Sequence, residues 1–375
     1  MQSFNSLFRN SILLAGLASC TFLTSCDNDD DQDPVKPTYD VPASYNFQNV
    51  NFSGQTSRIM MLSALDSTIK TGHNGAVLSA QTLKDMYSNT GNPFLRQSLN
   101  TSGKQLKDKT ITTAQAEFEL YLDKVAQAST TAGAAASNGT AGLLTTADNK
   151  KYLVDENGVE YAQVIAKGLM GAVFFNQAVD GYLTPGKIGN NIDTSTVKPG
   201  DGTTMEHHWD EAFGYFGAPA NLEAKDFDAN KSSLKFWANY SNQVNASINS
   251  NTAIMDAFLK GRAAISNKDM AAKDAAAATV RAEWEKLVAA ATIHELNAAK
   301  NNMADQAKKS HYLSEALGFA MGLGYKTDRK ISVTQLADVK AKIGTNFYQT
   351  TVTDINAAID ILANVYDLNA VKATL

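Results

Sequence analysis

Residues 159–182 form a long, very apolar stretch, and this stretch constrains the fold more than any other. Val164, Ile165, Leu169, Met170, Val173, Phe174 and Phe175 lie in it, and Lys167 is its one interior charge. Its length and period predict a helix. Glu160, Gln163, Lys167, Asn176, Gln177 and Asp180 interrupt it too often for a bilayer, so the helix belongs in a protein core. The helical period recurs along the chain. Ile59, Leu62, Leu65 and Ile69 mark a helix over 56–70. Phe118, Leu122 and Val125 mark another, capped by Thr112 or Thr113 and running to about Ala128. Further helices are expected at 204–216, 232–249, 252–266, 268–300, 304–322, 332–346 and 351–366. The alanine-dense run from Ala271 to Ala278 strongly favours helix. No alternation of strand and helix is present, so the class is all-α, built from helical bundles.

The segments between these helices carry other signals. Tyr45, Phe47, Val50 and Phe52 alternate in part, as one edge strand or an extended segment would. The stretch from Thr130 to Asn149 is rich in Ala, Ser, Gly and Thr and reads as a flexible connection. Thr184 to Thr203 holds three prolines and glycines at its start and three at its end, and a loop of that length within a domain is often functional. Of the whole chain, 44% is hydrophobic and 19% charged, which excludes overall disorder. A net charge of -5 leaves no basic footprint for nucleic acid. Two cysteines exclude a disulfide scaffold.

The N-terminus reads as an export signal. Arg9 is followed by the apolar run Ile12 to Ala18, too short for an ordinary membrane-spanning helix. Leu23-Thr24-Ser25-Cys26 then resembles a bacterial lipobox, which makes residues 1–25 a lipoprotein signal peptide and Cys26 the lipidated first residue. Leu17-Ala18-Ser19-Cys20 also fits that pattern, but Cys26 is preferred because the acidic stretch begins right after it. Asp27, Asp29, Asp30, Asp31 and Asp33 make residues 26–38 an acidic, disordered tether. A chain so built reaches the membrane through its lipidated cysteine.

Two segments match each other. One is His207-His208-Trp209-Asp210-Glu211-Ala212-Phe213-Gly214, the other His311-Tyr312-Leu313-Ser314-Glu315-Ala316-Leu317-Gly318. Each puts an imidazole and a carboxylate at i and i+4, on one face of a helix. Each then has a glycine where another backbone can approach closely. Three of the five histidines sit here. Neutral imidazole with carboxylates suits iron, zinc, manganese or copper, and facing helices of a bundle are a place to build such a site. His207, His208, Glu211, His311 and Glu315 are therefore the candidate metal ligands, with Glu206 a possible addition. The alternative is that each pair is a structural hydrogen bond. His294-Glu295 begins a zincin motif, but Ala298 stands where the second histidine belongs.

The chain resembles an uncharacterised family of Bacteroidetes lipoproteins. The resemblance rests on Tyr39-Asp40-Val41-Pro42, Tyr45-Asn46-Phe47, Ser53-Gly54-Gln55-Thr56, Glu206 to Tyr215 and Ser310 to Ala316. That family is similar to the imelysin-like proteins, whose hallmark is Gly-x-His-x-x-Glu on a helix. His208-x-x-Glu211 matches its second half, while Glu206 stands in the place of the glycine. The resemblance implies two pseudo-related helical bundles, 39–203 and 204–375, with the site between them. It also implies a surface-exposed outer-membrane lipoprotein, or one on the periplasmic face, that serves iron uptake and works with an outer-membrane receptor. The expected function is then binding of iron, with zinc as the alternative metal, or of an iron-carrying ligand. A metal-dependent peptidase with Glu211 or Glu315 as general base is one alternative. A lipoprotein that binds a ligand or partner without metal is the other.

Overall fold

The apolar stretch is a helix, and a large part of the molecule packs around it. In the computed structural model, which describes residues 38–375, every residue from Tyr161 to Asn176 is buried. The signal peptide, Cys20, Cys26 and tether residues 27–37 lie outside the described residues. The element order is α1 (Ser53–Lys70), α2 (Ala80–Ser88), α3 (Gln97–Asn100), α4 (Thr112–Ser129), β1 (Gly142–Thr145), β2 (Lys151–Val154), α5 (Tyr161–Leu169), α6 (Pro185–Ile188), α7 (Thr204–Phe216), α8 (Trp237–Ile248), α9 (Ser250–Ser266), α10 (Met270–Asn301), α11 (Gln306–Leu323), α12 (Val333–Ile343) and α13 (Val352–Val365). The class is all-α, with one two-stranded hairpin among the described residues.

α5 does not end at Leu169. Met170–Phe175 and Gln177–Tyr182 continue it as π-helix, wider turns that recur at functional sites. α1, α4 and α11 pack on α5 itself, and α7 packs on its π-helical continuation. The approach of α11 is close because both helices carry glycine there: a Cβ placed on Gly171 would stand 2.5 Å from Gly322 Cα. α10 lies between α9 and α11, and its Trp284 meets Phe175, Phe216, Trp237 and Phe258 in an aromatic core.

Several boundaries follow from capping chemistry. Thr203 accepts from the Glu206 backbone N–H while the Glu206 side chain accepts from the Thr203 N–H, so α7 starts where expected. Ser332 with Gln335 and Thr351 with Asp354 do the same for α12 and α13. Thr112 is instead the first residue of α4, and no side chain caps it. Residues 45–52 form no strand; Tyr45 is buried there and stacks on Phe213 at 3.7 Å between ring centroids. The stretch read as a flexible connection holds β1, paired antiparallel with β2 from Gly142↔Val154 to Thr145↔Lys151. The Thr184 to Thr203 loop holds the short α6 and is otherwise irregular.

The expected division at 203/204 is not a boundary between compact units. Tyr39–Leu375 is one such unit. α1 and α5, assigned to the first bundle, pack on α7 and α11, assigned to the second, and one hydrophobic core runs through both halves. No described helix is long and apolar enough to cross a membrane.

Candidate functional site

The capping box fixes the first turn of α7, and His207 and Glu211 follow on one face. That face meets α1. A Cβ on Gly214 would stand 2.5 Å from Phe52 Cβ and 3.0 Å from Gln55 Cβ, so only glycine lets the start of α1 settle here. Glu211 Oε1 accepts from Gln55 Nε2 at 2.9 Å and from the Tyr182 hydroxyl at 3.0 Å. Tyr182 closes the π-helical segment and Gln55 lies in the first turn of α1, so three elements fix this one carboxylate. Burial, and then the Glu211 charge, push the Tyr182 phenol up, so it stays a donor. Glu211 Oε2 lies 3.9 Å from His207 Nε2. His207 Nδ1 lies 3.9 Å from Asp201 Oδ1, which accepts from Asn51 Nδ2 at 2.7 Å.

These groups line a cavity of about 240 Å³. Basic side chains line it too. Arg58 is 4% exposed, donating through Nε to the Gln105 carbonyl and through Nη2 to Asp108. Lys104 and Lys109 also line the cavity, and neither has an ion pair among the described residues. The arrangement offers charged hydrogen-bond donors and a fixed carboxylate in one cavity.

The remaining expected ligands of this segment have other duties. His208 Nδ1 donates to the Lys187 carbonyl of α6 at 2.7 Å, and burial pushes its basicity down. Glu206 caps α7 and pairs with Arg262 Nη1 at 2.5 Å. Arg262, 1% exposed, also donates to Asp210 Oδ1 at 2.9 Å, which takes a second bond of 2.7 Å from Tyr45. Burial raises Asp210 to about 6 although Arg262 and Tyr45 work against it.

The second segment builds a different environment. Gly318 lets α11 close on α5: its Cβ would stand 2.6 Å from Lys167 Cβ. His311 and Glu315 thereby reach a buried polar chain. Glu160, with no exposed surface, has His73 Nε2 at 3.2 Å on Oε1 and His311 Nδ1 at 2.7 Å on Oε2. His311 Nε2 lies 3.4 Å from Glu315 Oε1, and Lys167 Nζ lies 3.3 Å from the same oxygen. Burial would raise the Glu160 carboxyl, but His311 and then His73 hold it well below the usual range. Burial works against a charged His311, yet Glu160 and Glu315 lift its pKa above the ordinary value. Glu295 faces Glu315, and burial together with that charge pushes it well up. The β-hairpin covers this chain: Leu153 N–H donates to His73 Nδ1 at 3.0 Å and Tyr152 stacks on His311 at 4.4 Å.

The two pairs thus form as spaced, but they do not converge. Glu211 bonds to Tyr182 at one end of the long helix, and Glu315 lies against Lys167 fifteen residues earlier, about 20 Å along a helix axis. His207, His208, Glu211, His311 and Glu315 are therefore not one coordination shell. Among the described residues, no group of three or more His, Cys, Asp or Glu side chains is arranged to hold a metal ion. The donors explain why: the Lys167 ammonium sits where a cation on Glu315 would, and Gln55 and Tyr182 occupy one oxygen of Glu211. The side chains as placed do not fit a resident iron or zinc.

Gln55, Tyr182, Arg58, Lys104 and Lys109 were not among the expected site residues, and neither were Glu160 and His73. One signal was visible for the buried chain: Lys167, a lone interior charge in an apolar helix. No curated protein and no solved structure matches this chain. A family model does match over residues 42–356, a span that contains every side chain of both clusters. The chain belongs to the family described as a domain of unknown function, DUF4856.

Proposed function

We propose that this protein is a lipid-anchored envelope protein, of the imelysin-like kind found in Bacteroidetes, that binds a small charged ligand in the cavity beside Glu211. The observation that carries this reading is the charge arrangement there: Lys104 and Lys109, without an ion pair among the described residues, and buried Arg58 share a cavity with a carboxylate fixed by Gln55 and Tyr182. A purely structural Glu211 would not need unpaired cations around an opening. The lipobox at Cys26 and the acidic tether support attachment to the outer membrane. An iron carrier falls within this reading as an anionic chelate, delivered to an uptake receptor; bare iron is not favoured by the donor geometry.

The test is a thermal-shift screen of the full chain against a library of small metabolites and iron chelates, beside its Glu211→Gln variant. Ligands that raise the Tm of the parent and not of the variant support the proposal. A library with no such ligand, or with equal shifts in both proteins, overturns it.

A further inference from the structure

The lining of the Glu211 cavity carries both signs of charge. At the start of α1 the cations converge: a point one Cβ away from Gly54 lies 3.2 Å from Lys104 Cε and 3.7 Å from Arg58 Nη1. The Arg58 guanidinium is held rigidly, since the side chain is 4% exposed and both Nε and Nη2 are already bonded. Its Nη1 has no hydrogen bond among the described residues. The start of an 18-residue helix adds positive potential at this wall. On the other wall Glu211 and Asp201 flank His207, each with an oxygen 3.9 Å from one of its ring nitrogens. Those distances exceed a hydrogen bond, so both carboxylates keep acceptor capacity toward the cavity.

From this we infer that the ligand is a small zwitterion of amino-acid size, with its carboxylate on Arg58 and Lys104 and its ammonium on Glu211. This rests on the reading that the cavity is a ligand site and adds the class of ligand. A simple anion would satisfy the basic wall and leave two carboxylates facing negative charge. A simple amine would satisfy the acidic wall and leave Lys104 and Lys109, which have no ion pair among the described residues, unmatched. One molecule carrying both charges satisfies both walls, and a cavity of about 240 Å³ has room for a ligand of amino-acid size. Charge-assisted bonds at both ends give discrimination, because a half-charged analogue leaves one wall unpaired.

The experiment is calorimetry of the full chain with each of the common L-amino acids, and with propionate and ethylamine as half-charged controls. At least one amino acid is expected to bind at one per chain, about tenfold or more tighter than either control. Glu211→Gln and Lys104→Met are each expected to weaken that binding about tenfold or more while circular dichroism stays that of the parent. Propionate binding as tightly as the best amino acid, or no amino acid binding at millimolar concentration, overturns the zwitterion. If the metabolite screen nevertheless yields a ligand that depends on Glu211, the cavity reading survives and only the class is wrong. If neither experiment yields a Glu211-dependent ligand, both fail.

Discussion

His311 donates from Nδ1 to Glu160 at 2.7 Å, inside a core where Glu160 has no exposed surface. This pair makes stability depend on pH in a defined direction. The His311 pKa is raised in the fold, so its contribution is fully present below the unfolded value of about 6.5 and is lost as pH rises through the folded value. The Glu160 pKa is lowered, so its contribution is present above about 4.3 and is lost as pH falls. In urea melts, the deficit of His311→Gln against the parent is therefore expected to be largest near pH 5–6 and to shrink toward alkaline pH. A deficit constant from pH 5 to 9 would show that the ring acts by packing alone.

Glu160→Gln removes the anion between two imidazoles. Breaking a buried pair by deleting one partner costs about 3–5 kcal/mol, so a large fall in stability at neutral pH is expected. Denaturant midpoints measure it, and a loss under about 1 kcal/mol would mean that water reaches the pair.

Arg262 pairs with both Asp210 and Glu206 at 1% exposure. Arg262→Met is expected to destabilise by about 3–5 kcal/mol at pH 8. The deficit should narrow as pH falls, because Asp210, already raised to about 6 with Arg262 present, then takes up a proton. Equal deficits at pH 5 and 8 would contradict this account.

Burial, and then the Glu315 charge, push the Glu295 carboxyl well above its ordinary value. A carboxyl with a raised pKa lowers stability as pH rises above its unfolded value of about 4.3. Glu295→Gln keeps a donor toward Glu315 without that penalty, so it is expected to stabilise at pH 8 and to be near neutral at pH 4. A destabilised variant at pH 8 would mean that the amide cannot take the place of the acid.

Gly171→Ala places a methyl 2.5 Å from the Gly322 backbone. Overpacking of this kind costs about 1–3 kcal/mol, and the neighbour here is main chain that cannot rotate away. The expected outcome is a lower Tm, whereas the same change at Gly133, with open space around its Cβ position, should leave the Tm almost unchanged.

Much of the helical frame was legible in the residues because its signals are local. The start of α7 was found because a capping chemistry marks it, and the i,i+4 pairs form because helical geometry alone brings their side chains together. Gly214 and Gly318 were read as close-approach positions, and both are. The short α2 and α3 went unseen, since nine and four residues give the helical period little room. The hairpin was hidden because β1 is four residues within a low-complexity stretch. The π-helical turns leave no trace in the pattern, because Met170 to Phe175 are apolar on every side and show no face whose drift would reveal a wider turn. The single coordination shell failed for a different reason. Which side chain stands beside an imidazole is decided by residues far away in the chain, and Glu160 is 151 positions from His311.

The π-helical stretch has a consequence for how this site can change over evolutionary time. Each wider turn holds more residues than an α-turn, so the direction in which Tyr182 points depends on a residue count upstream as much as on the residue itself. Deleting one residue between Leu169 and Gln177 would let a wide turn relax to α-geometry and leave everything after it pointing much as before, whereas one residue added in the α-helical part, Tyr161–Leu169, would turn everything after it by about 100° about the axis. Tyr182 would swing away from Glu211 with every side chain still present. Point substitutions along this helix can be absorbed one at a time, and the loss of one residue can be absorbed by a wide turn, but the gain of one cannot.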